Sequence, residues 1–455
     1  MRMFAFGIVG MVLALYLSEV GLSDSQIGIL LNVTLLGDAA ISLLVTLNAD
    51  RLGHRHMLLL GCALQLLGAV VFAYNDQPCF WLLTLGATIG VISPSGNEVG
   101  PFMALEQPML SDLVDPSSRT YTFAWYNVLG YFSTALGSLL AGASSTWILH
   151  SYDITIIDVY RLTFVEYGGL SIVMALLVFL LSSSVEFVQQ HKAGGVGASV
   201  FSSLENGEQQ EPLLLSVSEE VDGDHATSSM NSADPGAESK RSPPVTSLQQ
   251  PADKESQASF YQMSEASRWK VFRLSVLFAA DSFAGSMVAG SLLAYYFQVI
   301  YKVDDTYLGG ILFGANIIAG FSSFASGWVA NRFGLINTMV FTHLPSNIIV
   351  ILLPLMPTLQ WATAMTFLRF SISQMDVVPR QSYISGIVPA EERTAAMGIV
   401  NVMKSLGAAF GPLVTGWLAQ TGHFGWAFYL CGGIKIMYDV ALLWSFGHLK
   451  AEHER

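Results

Sequence analysis

Charge is what this chain has least of. Only 12% of its 455 residues are Asp, Glu, Lys or Arg, about half the share of an ordinary soluble domain. So few charges cannot solvate a globule of this size. With 52% hydrophobic residues and a mean hydropathy of +0.50, lipid is the remaining solvent. Cysteine is nearly absent as well. Cys62, Cys79 and Cys431 are the complete set. They have neither metal nor redox spacing, exclude a disulfide framework, and read as small buried hydrophobes. Also missing are H-E-x-x-H, G-x-S-x-G and a phosphate-binding glycine loop. Without them an enzyme is not expected, and neither is a cofactor or metal. The net charge of −13 is local: residues 185–267 hold 13 acidic and 4 basic side chains, −9 of the total. No nucleic-acid partner is expected.

What is present is a succession of apolar runs, each near the roughly 20 residues that cross a bilayer. We place twelve spans at 3–20, 25–47, 57–74, 80–110, 120–146, 161–184, 269–299, 305–330, 336–355, 358–387, 395–420 and 424–447. Met1-Arg2 and the apolar residues after it imitate a secretory leader. The run continues to Tyr16-Leu17 without a small-residue cleavage pattern, so it reads as a retained first span. Spans 4 and 10 are long and carry Pro94, Pro101 and Pro108, and Pro379. Proline bends a span whose neighbours satisfy the freed carbonyls. The stretch 185–267 is rich in Ser, Glu, Gln, Gly and Pro and is expected to be a disordered acidic loop. The expected organisation is thus a six-span bundle at 1–184, the loop, a second bundle at 268–447, and a tail at 448–455.

Lys and Arg set the orientation. One face collects Arg2, Arg51, Arg55, Arg119, Arg268, Lys270, Arg273, Arg332, Arg393, Lys450 and Arg455; the other has Arg161 and Lys302. Both termini and the central loop are therefore expected to be cytoplasmic, in a plasma membrane or an endomembrane.

The halves repeat. Asp24-Ser25-Gln26-Ile27-Gly28 matches Asp305-Thr306-Tyr307-Leu308-Gly309, and Ala49-Asp50-Arg51-Leu52-Gly53 matches Ala330-Asn331-Arg332-Phe333-Gly334, both at an offset of 281. Arg119-Thr120, Asn127-Val128, Gly137 and Gly142 match Arg393-Thr394, Asn401-Val402, Gly411 and Gly416 at an offset of 274. Ordered matches at equivalent positions mean two parallel copies of one unit, an arrangement found in transporters with a site between the halves.

The segment from Thr46 through Asp50-Arg51-Leu52-Gly53-His54-Arg55 resembles the loop 2–3 motif of the major facilitator superfamily, G-x-x-x-D-R-x-G-R-[KR]. Thr46 stands where the family has Gly, and His54 where it has Arg. The second copy, Gly327 to Gly334, has Asn331 in place of Asp. Ser93 to Pro101 and Arg369 to Asp376 look like a poorly characterised branch of that family. The resemblance implies an all-α membrane protein of twelve transmembrane helices in two pseudo-symmetric six-helix bundles, with a cavity lined by spans 1, 4, 7 and 10. It implies an alternating-access secondary transporter for a small solute, with protons as a candidate coupling ion and a monomeric state. The alternative is a transporter-like nutrient sensor without flux. In the family the loop charges bridge the bundles in one state, which assigns gating to Asp50, Arg51, Arg55, Asn331 and Arg332.

Ionisable groups within spans are expensive and are functional candidates. Glu98 and Glu106 fall in span 4, Asp281 in span 7, and Arg369, Asp376 and Arg380 in span 10. Glu98, Asp281, Arg369 and Asp376 are the candidates for substrate binding and proton coupling; a fixed interhelical ion pair is the competing role. Glu106 and Arg380 occupy repeat-equivalent positions, and we expect them to form a latch between bundles. Lys435 and Asp439 in span 12 are spaced to pair within their own helix. His343 in span 9 reads as a satisfied packing histidine.

Overall fold

The computed structural model describes residues 1–75, 79–90, 92, 102, 105–106, 109–110, 114, 119–181, 263–389 and 392–446. Glu98, residues 185–262 of the expected loop and the 448–455 tail lie outside the described residues, as do the side chains of Asp50 and Arg51.

Ten of the described helices are long and apolar enough to cross a membrane. Spans 1, 2 and 3 are Arg2–Glu19, Asp24–Leu52 and His54–Ala73; span 4 begins with Phe80–Ile89; spans 5 and 6 are Arg119–Ser151 and Ile156–Leu180. Span 7 consists of two helices, Glu265–Ser286 and Gly290–Tyr301. Spans 8 and 9 are Asp305–Phe333 and Leu335–Leu352. Span 10 is again double, Leu359–Ser373 and Val377–Gly386, and spans 11 and 12 are Arg393–Gln420 and Gly425–Phe446. Leu44, Phe179, Trp328 and Trp444 stand exposed on the outside. Apolar surface on this scale is the exterior of a membrane protein.

Local chemistry sets the ends. Span 2 starts with a reciprocal cap: the Ser23 hydroxyl accepts from the Gln26 N–H (3.3 Å), and the Gln26 side chain accepts from the Ser23 N–H (2.9 Å). Asp304 caps span 8 through the Tyr307 N–H at 2.9 Å. The turn between spans 2 and 3 is made at Gly53, φ +87°, and its repeat partner Gly334, φ +84°, makes the turn between spans 8 and 9. That conformation is costly for a residue with a Cβ, so the glycine of the D-R-x-G pattern is a backbone requirement.

The interruption of span 7 departs from the continuous helix expected, whereas that of span 10 falls beside the proline expected to bend it. At Met287–Ala289 the backbone tightens to bonds three residues back, and the Thr415 hydroxyl of span 11 donates to the Met287 carbonyl at 2.8 Å. Span 10 breaks at Gln374–Asp376. Pro379 has no N–H for the carbonyl four residues earlier, and its ring clashes with that carbonyl. One apolar cluster runs through both halves, with Tyr16, Phe72 and Phe164 packed together in the first and Tyr296, Phe424 and Phe428 in the second.

Candidate functional site

Both halves belong to one compact unit, and spans 2 and 5 of the first pack on spans 11 and 8 of the second. The packing is closest where the repeat places glycine. A Cβ on Gly28 would lie 2.6 Å from the Pro412 carbonyl oxygen and 3.0 Å from the Gly416 Cα; one on Gly309 would lie 2.7 Å from the Ser138 oxygen and 3.1 Å from the Gly142 Cα. Gly28 and Gly309 are repeat equivalents, as are Gly142 and Gly416. Gly137 and Gly411, the small residues of spans 5 and 11, abut Phe4 of span 1 and Phe283 of span 7.

At this end two tyrosines also cross the seam. Tyr295 of span 7 donates to Asp24 of span 2 at 2.6 Å. Its hydroxyl hydrogen being used, it accepts from Ser18 of span 1 at 3.2 Å. Tyr160 of span 6 donates to Asp305 of span 8 at 3.3 Å. Deeper in the seam, Asn32 donates to the Ala409 carbonyl at 2.8 Å and Tyr131 to the Gln374 side chain at 2.7 Å. The end bearing Asp24 and Asp305 is therefore closed.

Two sets of membrane-embedded charges pair, one within each half. In the first, Arg2 of span 1 grips Glu106 of span 4 through Nη2 (3.0 Å) and Nε (3.3 Å), and Tyr126 of span 5 bonds to both. In the second, Asp281 of span 7 lies 3.3 Å from Nη2 of Arg380 in span 10. The same two spans are joined in each half, with the signs exchanged. Arg380 also pairs with Asp376 one turn back. The expected Glu106–Arg380 latch is thus not formed in this conformation; each partner is held in its own bundle.

Asp281 belongs to a larger buried cluster. Lys435 of span 12 donates to its Oδ1 at 2.6 Å. His343 of span 9 has Nε2 at 3.9 Å from the same oxygen, 3.5 Å from the Lys435 Nζ, and Nδ1 at 2.9 Å from Asp439 Oδ1. Asn347 donates to the other Asp439 oxygen at 2.8 Å. All of these side chains are buried, Asp439 completely. Lys435 and Asp439 reach other spans instead of each other, which corrects the expected intrahelical pair: one faces span 7, the other span 9. Sequence reasoning missed that His343, Asn347, Lys435 and Asp439 converge on Asp281. The available signal was the surplus of ionisable residues in spans 7, 9, 10 and 12.

Of the remaining candidates, Arg369 has no hydrogen bond or ion pair among the described residues. Its guanidinium lies over the Phe370 ring at 5.3 Å, and its Nε is buried. Arg55 bonds to the Phe179 carbonyl and covers that ring at 5.0 Å, tying the loop after span 2 to span 6. Asn331 and Arg332 are exposed, and Arg332 lies over Trp328 at 6.0 Å. Outside the spans, Glu392 accepts from the Ser264 N–H at 2.8 Å at the start of span 7. The Ser267 hydroxyl, with the N–H and hydroxyl of Ser264, holds its carboxyl below the usual carboxylate range.

The sequence matches the Major Facilitator Superfamily over residues 1–378 and 372–455. It is 26% identical to the Saccharomyces cerevisiae "Uncharacterized membrane protein YJR124C" over 98% of this chain and 92% of that one. Its fold resembles the inward-open xylose transporter XylE from E. coli, with TM-score 0.66 and 14% identity, covering 100% of this chain and 96% of that one. It also resembles the nucleoside transporter NupG, with TM-score 0.62 and 12% identity, covering 98% and 97%. The chain belongs to the Major Facilitator Superfamily.

Proposed function

We propose that the chain is an alternating-access secondary transporter moving a small solute along the seam between its halves, with protons as the coupling ion. The observation that carries this reading is the closed end. Glycine contacts and tyrosine–aspartate bonds hold the halves together there, while Glu106 and Arg380 pair inside their own bundles. Such contacts can be made in one state and broken in the other. The Lys and Arg bias makes both termini cytoplasmic, so the closed end is the non-cytoplasmic one and this conformation is inward-facing.

Arg369 is the proposed substrate contact, a cation without a counter-ion among the described residues, on a span expected to line the cavity. Asp281 and Asp376 belong to the proton-coupling machinery. Asp50, Arg51 and Arg55, with Asn331 and Arg332, gate the cytoplasmic end. Solved relatives of this fold include a "D-xylose-proton symporter", which supports neutral solutes beside organic anions as test substrates. The test is reconstitution in liposomes with a mixture of anionic and neutral metabolites, with and without a pH gradient. Accumulation driven by the gradient is expected. Binding of a solute without movement of any, under every gradient, would replace this reading with that of a sensor.

A further inference from the structure

We propose that His343 is the proton-binding group of the second half, an imidazole whose charge completes the buried cluster around Asp281. The proposal rests on the proton-coupled reading above and names the site. Charge balance is the first argument. Among the described residues the cluster contains three carboxylates, Asp281, Asp376 and Asp439, against two permanent cations, Arg380 and Lys435. One negative charge is unmatched in a place where unmatched charge is expensive. Among the cluster's side chains only His343 can add a positive charge and remove it again near neutral pH.

Geometry is the second argument. Nδ1 lies 2.9 Å from Asp439 Oδ1 and 3.3 Å from the Asn347 Nδ2; an ionised carboxylate can only accept, so beside it the ring takes the tautomer with its hydrogen on Nδ1. Nε2 is the atom that changes. In the neutral ring its lone pair accepts from the Lys435 ammonium at 3.5 Å. When a proton from solvent forms the Nε2–H bond, that hydrogen turns to Asp281 Oδ1, 3.9 Å away and already held by Lys435. Release breaks the same bond and needs no co-reactant. One ring atom thus lies between a cation that suits its neutral form and a carboxylate that suits its charged form.

The other groups around the ring do not supply the missing charge. On span 12 the neighbours are Tyr438, edge-on at 6.0 Å between ring centroids, and the Cys431 thiol one turn before Lys435. Span 7 contributes Asp281, and the second helix of span 10 contributes Asp376 and Arg380. Arg369, on the first helix of span 10, forms no ion pair with the cluster among the described residues; its guanidinium lies over the Phe370 ring. The charges of span 8, Asp305 and Arg332, are engaged with Tyr160 and Trp328.

The location gives the proton mechanical consequence. Asp281 is on the first helix of broken span 7, and Asp376 immediately precedes the second helix of broken span 10. Spans 9 and 12, packed on each other, form the wall behind them. Gain or loss of one charge alters the attraction between that wall and the two jointed spans. A ligand shifts a conformational equilibrium only by its differential affinity for the two states, and here the ligand is the proton.

The test uses the full chain in lipid nanodiscs with ring-15N histidine, titrated between about pH 5 and 8 while the imidazole signals are followed. Subtracting the spectrum of His343→Gln isolates one ring among the nine histidines. That ring is expected to switch reversibly between neutral and charged. In Asp281→Asn the two remaining carboxylates already match Arg380 and Lys435, so the ring is expected to stay neutral throughout. A ring that keeps one charge state over the whole range in the native sequence overturns the proposal. So does an Asp281→Asn protein that titrates as the native one does. In liposomes, His343→Gln is expected to keep downhill exchange and lose gradient-driven accumulation; gradient-driven accumulation at the native level would equally overturn it. If the native chain moves no solute at all, the transporter reading falls, and the proton site is still decided by the spectra.

Discussion

Replacing Lys435 with methionine tests the buried charge count by an asymmetry. Lys435 and Asp281 are 2.6 Å apart. At an effective dielectric of about 20 that separation corresponds to roughly 6 kcal/mol of attraction before desolvation. Methionine keeps most of the side-chain volume and removes the charge. Three carboxylates then face Arg380 alone, and even a protonated His343 leaves one negative charge over. The expected cost is that of breaking a buried pair, about 3–5 kcal/mol. Asp281→Asn removes a charge of the other sign, and His343 answers by staying neutral, so this change should cost clearly less. The double variant, Lys435→Met with Asp281→Asn, is balanced again by a charged imidazole. It should recover to within about 1 kcal/mol of the native protein, since replacing a buried pair with neutral groups is often close to neutral. Thermal unfolding of the four detergent-purified proteins, followed by tryptophan fluorescence and size exclusion, measures the order. Equal losses for the two single variants, or a double variant that loses the sum of both, would refute the charge count.

Four further outcomes follow from the geometry. Tyr160→Phe removes one hydrogen bond across the seam, worth about 1 kcal/mol, and Tyr295→Phe removes two. Tyr160→Phe should raise the fraction open at that end about fivefold and Tyr295→Phe more, read as faster maleimide labelling of a cysteine placed at Ser25. Gly28→Val puts a side chain against the Pro412 carbonyl, 2.6 Å from the first added carbon, and should hold that end open more strongly than either tyrosine change by the same labelling. Gly53→Ala and Gly334→Ala force a Cβ into positive φ and should each destabilise the fold by about 1–2 kcal/mol, seen as a lower melting temperature. The Glu392 carboxyl titrates below its unfolded value, so its stabilising contribution is full above the unfolded pKa and disappears as pH falls through the folded one. Glu392→Gln should therefore lower the melting temperature at neutral pH and leave it unchanged in acid.

The spans were legible because a bilayer demands long apolar runs, and span 11, expected at 395–420, is Arg393–Gln420. The repeat was legible too, because Gly28 and Gly309, and Gly142 and Gly416, stand in register; that they meet across the seam was not. The interruption of span 7 at Met287–Ala289 was not. It contains no proline, and it is stabilised by a hydroxyl from Thr415, remote in sequence. Span 10 announced its bend through Pro379. The cluster was half legible. Asp281, Asp376 and Arg380 could be singled out as costly charges, but the i, i+4 spacing of Lys435 and Asp439 pointed to a local pair. Only the packing of spans 7, 9 and 12 decides that each faces outward to a different partner. For the same reason Glu106 and Arg380, equivalent by repeat, could be recognised as important without revealing that Arg2 and Asp281 hold them apart.

The four seam glycines carry an implication about origin. If Gly28 meets Gly416, then exchanging each residue for its counterpart yields Gly309 meeting Gly142, which is the other contact observed. This is the signature of an isologous interface, the self-complementary patch of a C2 homodimer, preserved inside a single chain. A six-span ancestor would have made this contact twice with a copy of itself. The tyrosine–aspartate bonds break that symmetry, since Asp24 takes its donor from span 7 and Asp305 from span 6. The glycine contacts thus keep the two-fold relation between the halves, and the tyrosine bonds depart from it.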